Sequence, residues 1–449
     1  MPKPPINTPQ MVSLIPHLTS SAPLSISTPL NAMSSSSSSS SDGMEGDMIE
    51  QFQEEYEEEM LNEEVVPRRR RRREFIRRDH LGAHDRLFED YFAYDCNYPP
   101  SYFRRRYRMR RSLFLRIVDR LGEYSLYFTQ RVDALNRAGF SPLQKCTTAL
   151  RLLAYGAAAD TIDEWLKLAR QTSSDCLDRF CEGIIDCYGE TFCRRPIVED
   201  TQRLLAKAEE RGFPGMLGSI DCMHWQWRNC PVAHAGQFTR GDIKHPTIIL
   251  EAVASYDRWI WHAFFGVAGS NNDINVLNQS PLFTDVLRGE APVVNFTVNG
   301  HEYHYGYYLA DGIYPSLPVF MKGVTFPQSE KHRVFTAAQS AWRKDVECAF
   351  GVLKARFNIL AVPRRSYSRR TLGLIMRACV ILHNMIIDDE RGTNLDNIYE
   401  KVASNVGPAI HHHAPPSLAA RIQMDTEMRE SPMYTQLQHD LIEHVWANS

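Results

Sequence analysis

The sequence lacks the features that would place the chain in a membrane or in the secretory pathway. Its 449 residues contain no run of 18 or more apolar residues, and the longest candidate, Leu372 to Ile387, is interrupted by Arg377 and His383. That stretch therefore predicts a buried helix rather than a membrane span. The N-terminus also lacks a charged segment followed by an apolar one, which argues against a secretory leader. We accordingly expect no membrane partner.

Paired cysteines are missing as well. Ten cysteines are scattered without a CxxC pair, and a chain of 449 residues needs no disulfides to hold its core. The recurring Cys176, Cys181, Cys187 and Cys193 leave a zinc site open, but buried thiols in a reducing compartment are the favoured interpretation.

The net charge is only −3, yet the charges are unevenly distributed. An acidic stretch over residues 45–64 precedes an unbroken run of six arginines. Blocks of like charge are ordinarily solvated tails, but an arginine run also has the composition of a nuclear address or a phosphate-binding arm. We predict that this run directs the chain to the nucleus: Arg68, Arg69, Arg70, Arg71, Arg72 and Arg73. A second basic cluster, which includes Arg104, Arg105 and Arg106, is predicted to bind DNA.

Composition and periodicity divide the chain into four segments. Residues 1–80 are low-complexity and cannot bury enough apolar surface to offset the entropy of ordering, so they predict a disordered tail. Residues 81–200 show helical apolar spacing throughout. Residues 210–392 change to short apolar strands, hairpins and long helices, which predicts an α/β domain. Residues 393–449 read as a linker followed by an amphipathic C-terminal helix, packed on the domain or on a partner.

The helical segment has the outline of a helix-turn-helix. A short helix over Thr161–Leu166 precedes the cap-type residues Gln171–Ser174, and a second helix follows from Cys176. The second helix of such a unit can enter the major groove of DNA. An ordinary three-helix packing unit fits the pattern as well, and Asp175 and Asp178 on the presumed recognition helix disfavour contact with DNA.

Two aspartates interrupt apolar stretches of the α/β segment. Asp221 follows the apolar run 216–220, which predicts a short strand that ends at this residue, and Asp311 follows the apolar stretch 307–310. A charged residue between two apolar stretches is seldom a solvated surface position. A third acid, Asp273, lies at an apparent helix start, where it either caps the helix or adds a fourth carboxylate to a cleft.

Glu347 lies on a long predicted helix over Ser340–Phe357. Arg343 precedes it by one turn and Lys354 follows two turns later on the same face, so both are predicted to bind phosphates that flank a cut in DNA. The alternative is a solvent-exposed helix in which charged residues four positions apart form ion pairs, because this helix would show the same pattern.

Carboxylates that converge on one cleft repel one another unless cations lie between them. Two Mg²⁺ ions roughly 3.5–4 Å apart, held by carboxylate oxygens, can activate a nucleophile and stabilise the leaving oxygen of a phosphodiester. Asp221 and Asp311 are candidate ligands for such a site, and Glu347 is a third if its helix faces the cleft, with Mg²⁺, or else Mn²⁺, as the cofactor.

The chain resembles the plant branch of the PIF/Harbinger transposases and the nuclease-like proteins derived from them. Thirty-five residues separate Asp311 from Glu347, a spacing typical of the DDE recombinases. Cys222 and Cys348 depart from the residues common after the first and third acids of the family. The matching stretches, in order over roughly residues 140 to 390, are Gly218–Trp225, Glu251–Ser255, Trp259–His262, Gly269–Leu277, Tyr307–Pro315, Asp345–Phe357 and Cys379–Ile386.

The resemblance implies an RNase H-like DDE domain that cuts DNA and joins the freed 3′-OH to target DNA, with Asp221, Asp311 and Glu347 as its catalytic residues and metal ligands. It also implies a separate Myb/SANT-like partner protein, and it leaves a homo-oligomer open. In this family pattern, His383 and Asn384 are expected to make buried hydrogen bonds behind the site rather than take part in catalysis. The alternative is a domesticated, catalytically silent nuclear protein bound to DNA or chromatin. A helix-turn-helix regulator with an inert α/β domain is a weaker third interpretation.

Overall fold

The fold is described by a computed structural model over residues 76–242, 244–282, 293–363, 368–391 and 432–449. The predicted tail up to residue 75, with Arg68–Arg73, lies outside these residues, as does most of the predicted linker.

Helices alone occupy the described chain before its first strand. Local signals set their ends: Ser141 and Gln144 form a capping box at the start of one helix, with Pro142 at its first position, and Gly156 ends it with a φ of 63°. The helices are α1 His80–Tyr91, α2 Pro100–Tyr107, α3 Arg111–Tyr124, α4 Pro142–Tyr155, α5 Asp160–Leu166, α6 Arg170–Phe192 and α7 Val198–Glu210.

A five-stranded mixed sheet follows, in the order β3-β2-β1-β6-β7. β1 pairs antiparallel with β2 and parallel with β6, and β7 continues the parallel side. The five strands are β1 Met216–Gln226, β2 Thr247–Ala254, β3 Ile260–Ala268, β6 Tyr307–Leu309 and β7 Phe320–Met321. A separate two-stranded sheet consists of β4 Val293–Val298 and β5 His301–Tyr305.

Five helices accompany the sheet in the described residues: α8 Val232–Phe238, α9 Asp273–Leu277, α10 Glu330–Arg356, α11 Arg369–Glu390 and α12 Pro432–Ala447. Two short 3₁₀ turns lie at Leu126–Phe128 and Asn358–Leu360. One apolar cluster runs from Leu87 through the strands to Ile386, so the helices before β1 and the sheet share a core.

The prediction that the first strand ends at Asp221 is wrong. β1 continues to Gln226, because β2 supplies ladder partners from Ala252, opposite Asp221, to Thr247, opposite Gln226. In the local sequence, an acidic residue after an apolar run indicates the end of a strand. The pairing with β2 that extends β1 past Asp221 cannot be seen there.

From the sequence alone, Asn299-Gly300 predicts the turn of a hairpin whose second strand runs from Tyr303 to Leu309. The structure confirms the turn and corrects the second strand. Both turn residues have positive φ, 51° and 84°, as a two-residue hairpin turn requires. The second strand stops at Tyr305, and Tyr307–Leu309 instead joins the main sheet beside β1.

The C-terminal helix packs on the domain, as one of the two predicted alternatives states. The side chain of Asp440 on α12 is completely buried and accepts hydrogen bonds from Tyr303 and, at 3.1 Å, from the Nδ2 of Asn299. His301 Nδ1 lies 2.9 Å from the same carboxylate. These contacts fix α12 against the β4–β5 hairpin.

Helix α11 is long and apolar enough to cross a membrane by composition, but 72% of that apolar window is buried inside the protein. His383 and Asn384 are completely buried in it. Asn384 donates to the carbonyl oxygens of Phe192 and Ile260 and accepts from the N–H of Ile260. The predicted role of these residues in buried hydrogen bonding is confirmed.

Candidate functional site

Asp221 lies on β1, and Asp311 follows the end of the neighbouring parallel strand β6 at a matching position. Ser219 on β1 is paired with Leu309 on β6, and each aspartate comes two residues after its member of this pair. Since β6 ends at Leu309, the chain leaves the sheet just before Asp311 while β1 continues. The two aspartates therefore stand at the same edge of the parallel part of the sheet.

Helix α10 is anchored to both strands and brings Glu347 to this edge. The backbone N–H of Val346 donates to the hydroxyl of Ser219 at 3.1 Å. Eight residues before Glu347, the buried amide of Gln339 donates to the carbonyl oxygen of Ala310, the residue before Asp311, at 3.0 Å and to that of Met321 at 3.1 Å. Side chains alternate along a strand, so Ser219 and Asp221 share the face that α10 covers.

The guanidinium of Arg343 connects two of the predicted ligands. Its Nη1 lies 3.5 Å from Oδ2 of Asp221, and its Nη2 lies 3.2 Å from Oε1 of Glu347. The Asp221 side chain is 9% exposed, against 36% for Glu347, so Arg343 joins a buried carboxylate to one that is partly open to solvent. Arg343 pairs with these two carboxylates in this structure, and its predicted phosphate-binding role stays a prediction.

Burial dominates the electrostatics of Asp221 and raises its pKa to about 7. The nearby carboxylates of Asp273 and Glu347 raise this pKa further, while the N–H of Cys222 and the charge of Arg343 lower it. A buried acid among other acids with a raised pKa is typical of functional sites.

Asp273 is the first residue of α9 and is buried, but it is not the helix cap. That role belongs to Asn272, whose side chain accepts from the N–H of Asn275 at 2.9 Å. The capping alternative for Asp273 is thus wrong, because the cap lies one residue earlier. The charge of Asp273 raises the pKa of both Asp221 and Glu251, so its role as a fourth acid of the site stays a prediction.

Glu251 is a buried acid that the sequence analysis did not single out. It pairs with Cys222 across β1 and β2 and therefore lies on the opposite face of the sheet from Asp221. Neither of its carboxyl oxygens makes a hydrogen bond to a described residue, and His262 Nε2 is 3.7 Å from Oε1. Burial raises its pKa to about 8.

The predicted DNA-binding arginines of α2 separate into two groups. Arg104 is committed to an ion pair with the buried Glu390, at 2.7 Å, and Arg106 packs 4.1 Å from the ring centre of Tyr98. Arg105 is exposed. Of the three, Arg105 presents its charge to solvent, while the other two contact the protein itself.

Lys354 is half-buried two turns after Glu347, and burial lowers its pKa. It makes no ion pair with a described residue. A lysine held in this way is available to an anionic ligand.

Divalent cations such as Mg²⁺ prefer oxygen ligands, which the predicted carboxylates supply. The guanidinium between Asp221 and Glu347 marks a position that accepts positive charge, so the residues present fit a hard cation. Across the described ranges, however, no group of three or more His, Cys, Asp or Glu side chains is already arranged to hold a metal ion.

Ser219 and Gln339 are residues of this site that sequence reasoning missed, and it also missed Glu251, the buried acid on the opposite face of the sheet. A polar residue at a buried position of a strand or helix is the signal that could have found Gln339 and Glu251. Ser219 gives no such signal, because serine is common at every degree of burial.

Comparisons with known proteins agree with this region of the chain. Residues 190–394 match the family model described as plant transposon protein, and residues 84–122 match a domain of unknown function. The matched plant transposon segment contains Asp221, Asp311 and Glu347. No solved structure matches the chain at a significant level.

Two curated proteins of Arabidopsis thaliana are similar to the chain. Protein ALP1-like is 26% identical over 279 residues, which cover 59% of this chain and 66% of that protein. Protein antagonist of like heterochromatin protein 1 is 26% identical over 252 residues, covering 54% of this chain and 61% of that protein. The chain thus spans less than two thirds of the length of these relatives.

Proposed function

The chain belongs to the plant Harbinger-type transposase-derived proteins, and from this premise we propose that it is a metal-dependent endonuclease that cuts phosphodiester bonds in DNA. The joining of the freed 3′-OH ends to target DNA is the second step of the proposed activity. Asp221, Asp311 and Glu347 are its proposed catalytic residues.

The observation that carries the proposal is the convergence of acids on one edge of the sheet. Asp221 and Asp311 follow paired residues on parallel strands, and Glu347 shares an arginine with Asp221. The strand order, three antiparallel strands followed by two parallel ones with the first strand in the centre, supports an RNase H-like domain.

The acidic and basic side chains have different roles in the proposed reaction. Asp221, Asp311 and Glu347 would hold Mg²⁺ or Mn²⁺, with Asp273 as a fourth acid nearby. When bound, the metal supplies neutralisation of charge on the phosphate. Lys354 and Arg105 provide positive charge that attracts the phosphates of the DNA backbone. Such phosphate contacts fix the position of the protein along the DNA.

The test is cleavage of labelled plasmid and terminal-repeat DNA by the full chain with Mg²⁺ or Mn²⁺. Wild type is expected to cut, and Asp311→Asn and Glu347→Gln are expected to lower the rate at least about 100-fold, because each removes a ligand charge from the site. The assay is run with and without a Myb/SANT-like partner protein.

Glu330→Gln is the matched control, since this exposed glutamate lies on the same helix and, among the described residues, forms its ion pair with Arg333. It should cut like wild type. A wild-type chain that binds DNA and never cuts, under any metal or partner condition, would contradict the proposal.

One set of observations favours a second candidate, a catalytically silent protein bound to DNA or chromatin. The cleft carboxylates are paired with Arg343 rather than arranged around a metal position, and one relative is named an antagonist of a heterochromatin protein. DNA binding that persists in Asp311→Asn, without cutting by wild type, would identify this second function. Both candidates place the chain in the nucleus.

A further inference from the structure

The contacts of Arg343 are loose for an ion pair inside a protein. Charge-assisted N–H···O bonds typically measure about 2.7–2.9 Å, whereas Arg343 stands 3.5 Å from Asp221 and 3.2 Å from Glu347. On the opposite side of the same helix, Asp345 lies 2.5 Å from Arg211. Arg343 therefore shares its single positive charge between two carboxylates without a short hydrogen bond to either.

The position of Arg343 allows another cation to replace it beside the two carboxylates. The side chain is 22% exposed, so it has a route to solvent, and it lies one helical turn from Glu347, within reach of the cleft mouth. Arginine cannot lose its proton at any ordinary pH. The guanidinium can therefore leave the carboxylates only by moving, and another cation must take its place because like charges this close repel.

We propose that Arg343 is a built-in counter-ion, which holds Asp221 and Glu347 together in the absence of metal and is displaced from them when a divalent cation binds. This inference rests on the proposed metal-dependent function and adds a residue that regulates metal binding. Arg343 competes with the metal, so it sets the metal concentration at which the cleft is loaded. Once displaced, its guanidinium faces the mouth, where the DNA phosphates would lie.

A fixed structural role for Arg343 gives the opposite expectation. If the guanidinium stayed in place to orient the two carboxylates for the metal, its removal would disorder them and weaken binding. The sign of the change in metal affinity therefore separates the two roles.

The experiment measures Mn²⁺ binding to the full chain by isothermal titration calorimetry, with no DNA present. Arg343→Gln is expected to bind Mn²⁺ at least tenfold more tightly than wild type, and Arg343→Lys is expected to fall between them. Arg333→Gln, on the same helix with its exposed pair to Glu330, is the matched control and should bind like wild type. Unchanged or weaker binding by Arg343→Gln would overturn the inference.

A second measurement uses the wild-type protein and so does not depend on how a variant folds. Phenylglyoxal modifies accessible guanidinium groups, and mass spectrometry reports the rate at each arginine. Mn²⁺ should raise the rate at Arg343 several-fold and leave the rate at Arg333 unchanged. Equal rates at Arg343 with and without bound Mn²⁺ would show that it stays in place.

The outcomes also distinguish this inference from the function on which it rests. If neither wild type nor Arg343→Gln binds Mn²⁺ at millimolar concentration, the proposed metal-dependent function is rejected. If wild type binds Mn²⁺ and the neutral variant binds it no more tightly, the role of Arg343 alone is rejected.

Discussion

At the scale of single residues, Glu251 shows how burial decides the state of an acid. Its side chain is completely buried and its oxygens lack hydrogen bonds to described residues. Burial raises its pKa from 4.5 to about 8, so the folded protein holds a proton that the unfolded chain releases above pH 4.5. The titratable groups near it include His262, Asp273, Cys222 and Tyr314.

The direction of the pH dependence follows from this difference. A raised acid pKa means that the folded state binds more protons, so the contribution of Glu251 to stability falls as pH rises from about 4.5 to about 8. Glu251→Gln should gain stability relative to wild type across this range, on the order of 1–4 kcal/mol between pH 5 and pH 8. Urea unfolding at several pH values measures the gain.

Glu302→Gln, an exposed change on β5, is the control for that series and should show no such trend. A difference between Glu251→Gln and wild type that is the same at pH 5 and pH 8 would show that Glu251 does not titrate in this range.

At the scale of elements, β1 carries Asp221 and depends on close approach to β2 at Gly218. A Cβ built on Gly218 would lie 2.5 Å from the carbonyl oxygen of Ala254, closer than non-bonded atoms can stand. The register of β1 against β6 also shifts between Met216 and Gly218. This glycine lets the strand bend just before the candidate site.

Gly218→Ala should therefore push β1 away from β2 and lower the free energy of unfolding by about 1–3 kcal/mol. Cleavage, if the proposed function holds, should fall with it, since Asp221 lies three residues later. Gly373→Ala in α11 is the matched control: its Cβ would meet no atom within 4 Å, and alanine favours a helix. Chemical unfolding measures both, and equal stability of the two variants would contradict the prediction.

At the scale of the whole molecule, buried ion pairs join the helices before β1 to the end of α11. Glu390, with a side chain 1% exposed, lies 2.7 Å from Arg104 of α2 and 3.5 Å from Arg356 of α10. Asp389 similarly pairs with Arg110 and Arg116. The basic cluster read as a DNA-binding surface thus serves in part to hold the molecule together.

Glu390→Ala should lower the free energy of unfolding by about 3–5 kcal/mol, because it leaves two buried guanidinium groups without their carboxylate. Guanidinium chloride unfolding, followed by circular dichroism, is the measurement. Glu123→Ala, which removes an exposed partner of Arg120, should leave the midpoint unchanged. A Glu390 variant as stable as the control would mean that the pairs add nothing.

The sequence by itself determined what depends on neighbours along the chain. The Asn299-Gly300 turn, the capping box at Ser141 and the apolar stripe of α10 are interactions over a few residues, so they can be read locally. The candidate acids were found in the same way, as charges between apolar stretches, together with the resemblance to a known family.

The tertiary structure alone decided what depends on residues distant in the chain. The length of β1 depends on β2, and the alignment of Asp221 with Asp311 depends on parallel pairing across some 90 intervening residues. The same is true of Arg104, whose partner Glu390 is 286 residues away, and of Arg343, whose contact with Asp221 exists only because α10 packs on β1. The physical reason is that strand pairing and ion pairs act through space, and the folded chain alone brings their partners together.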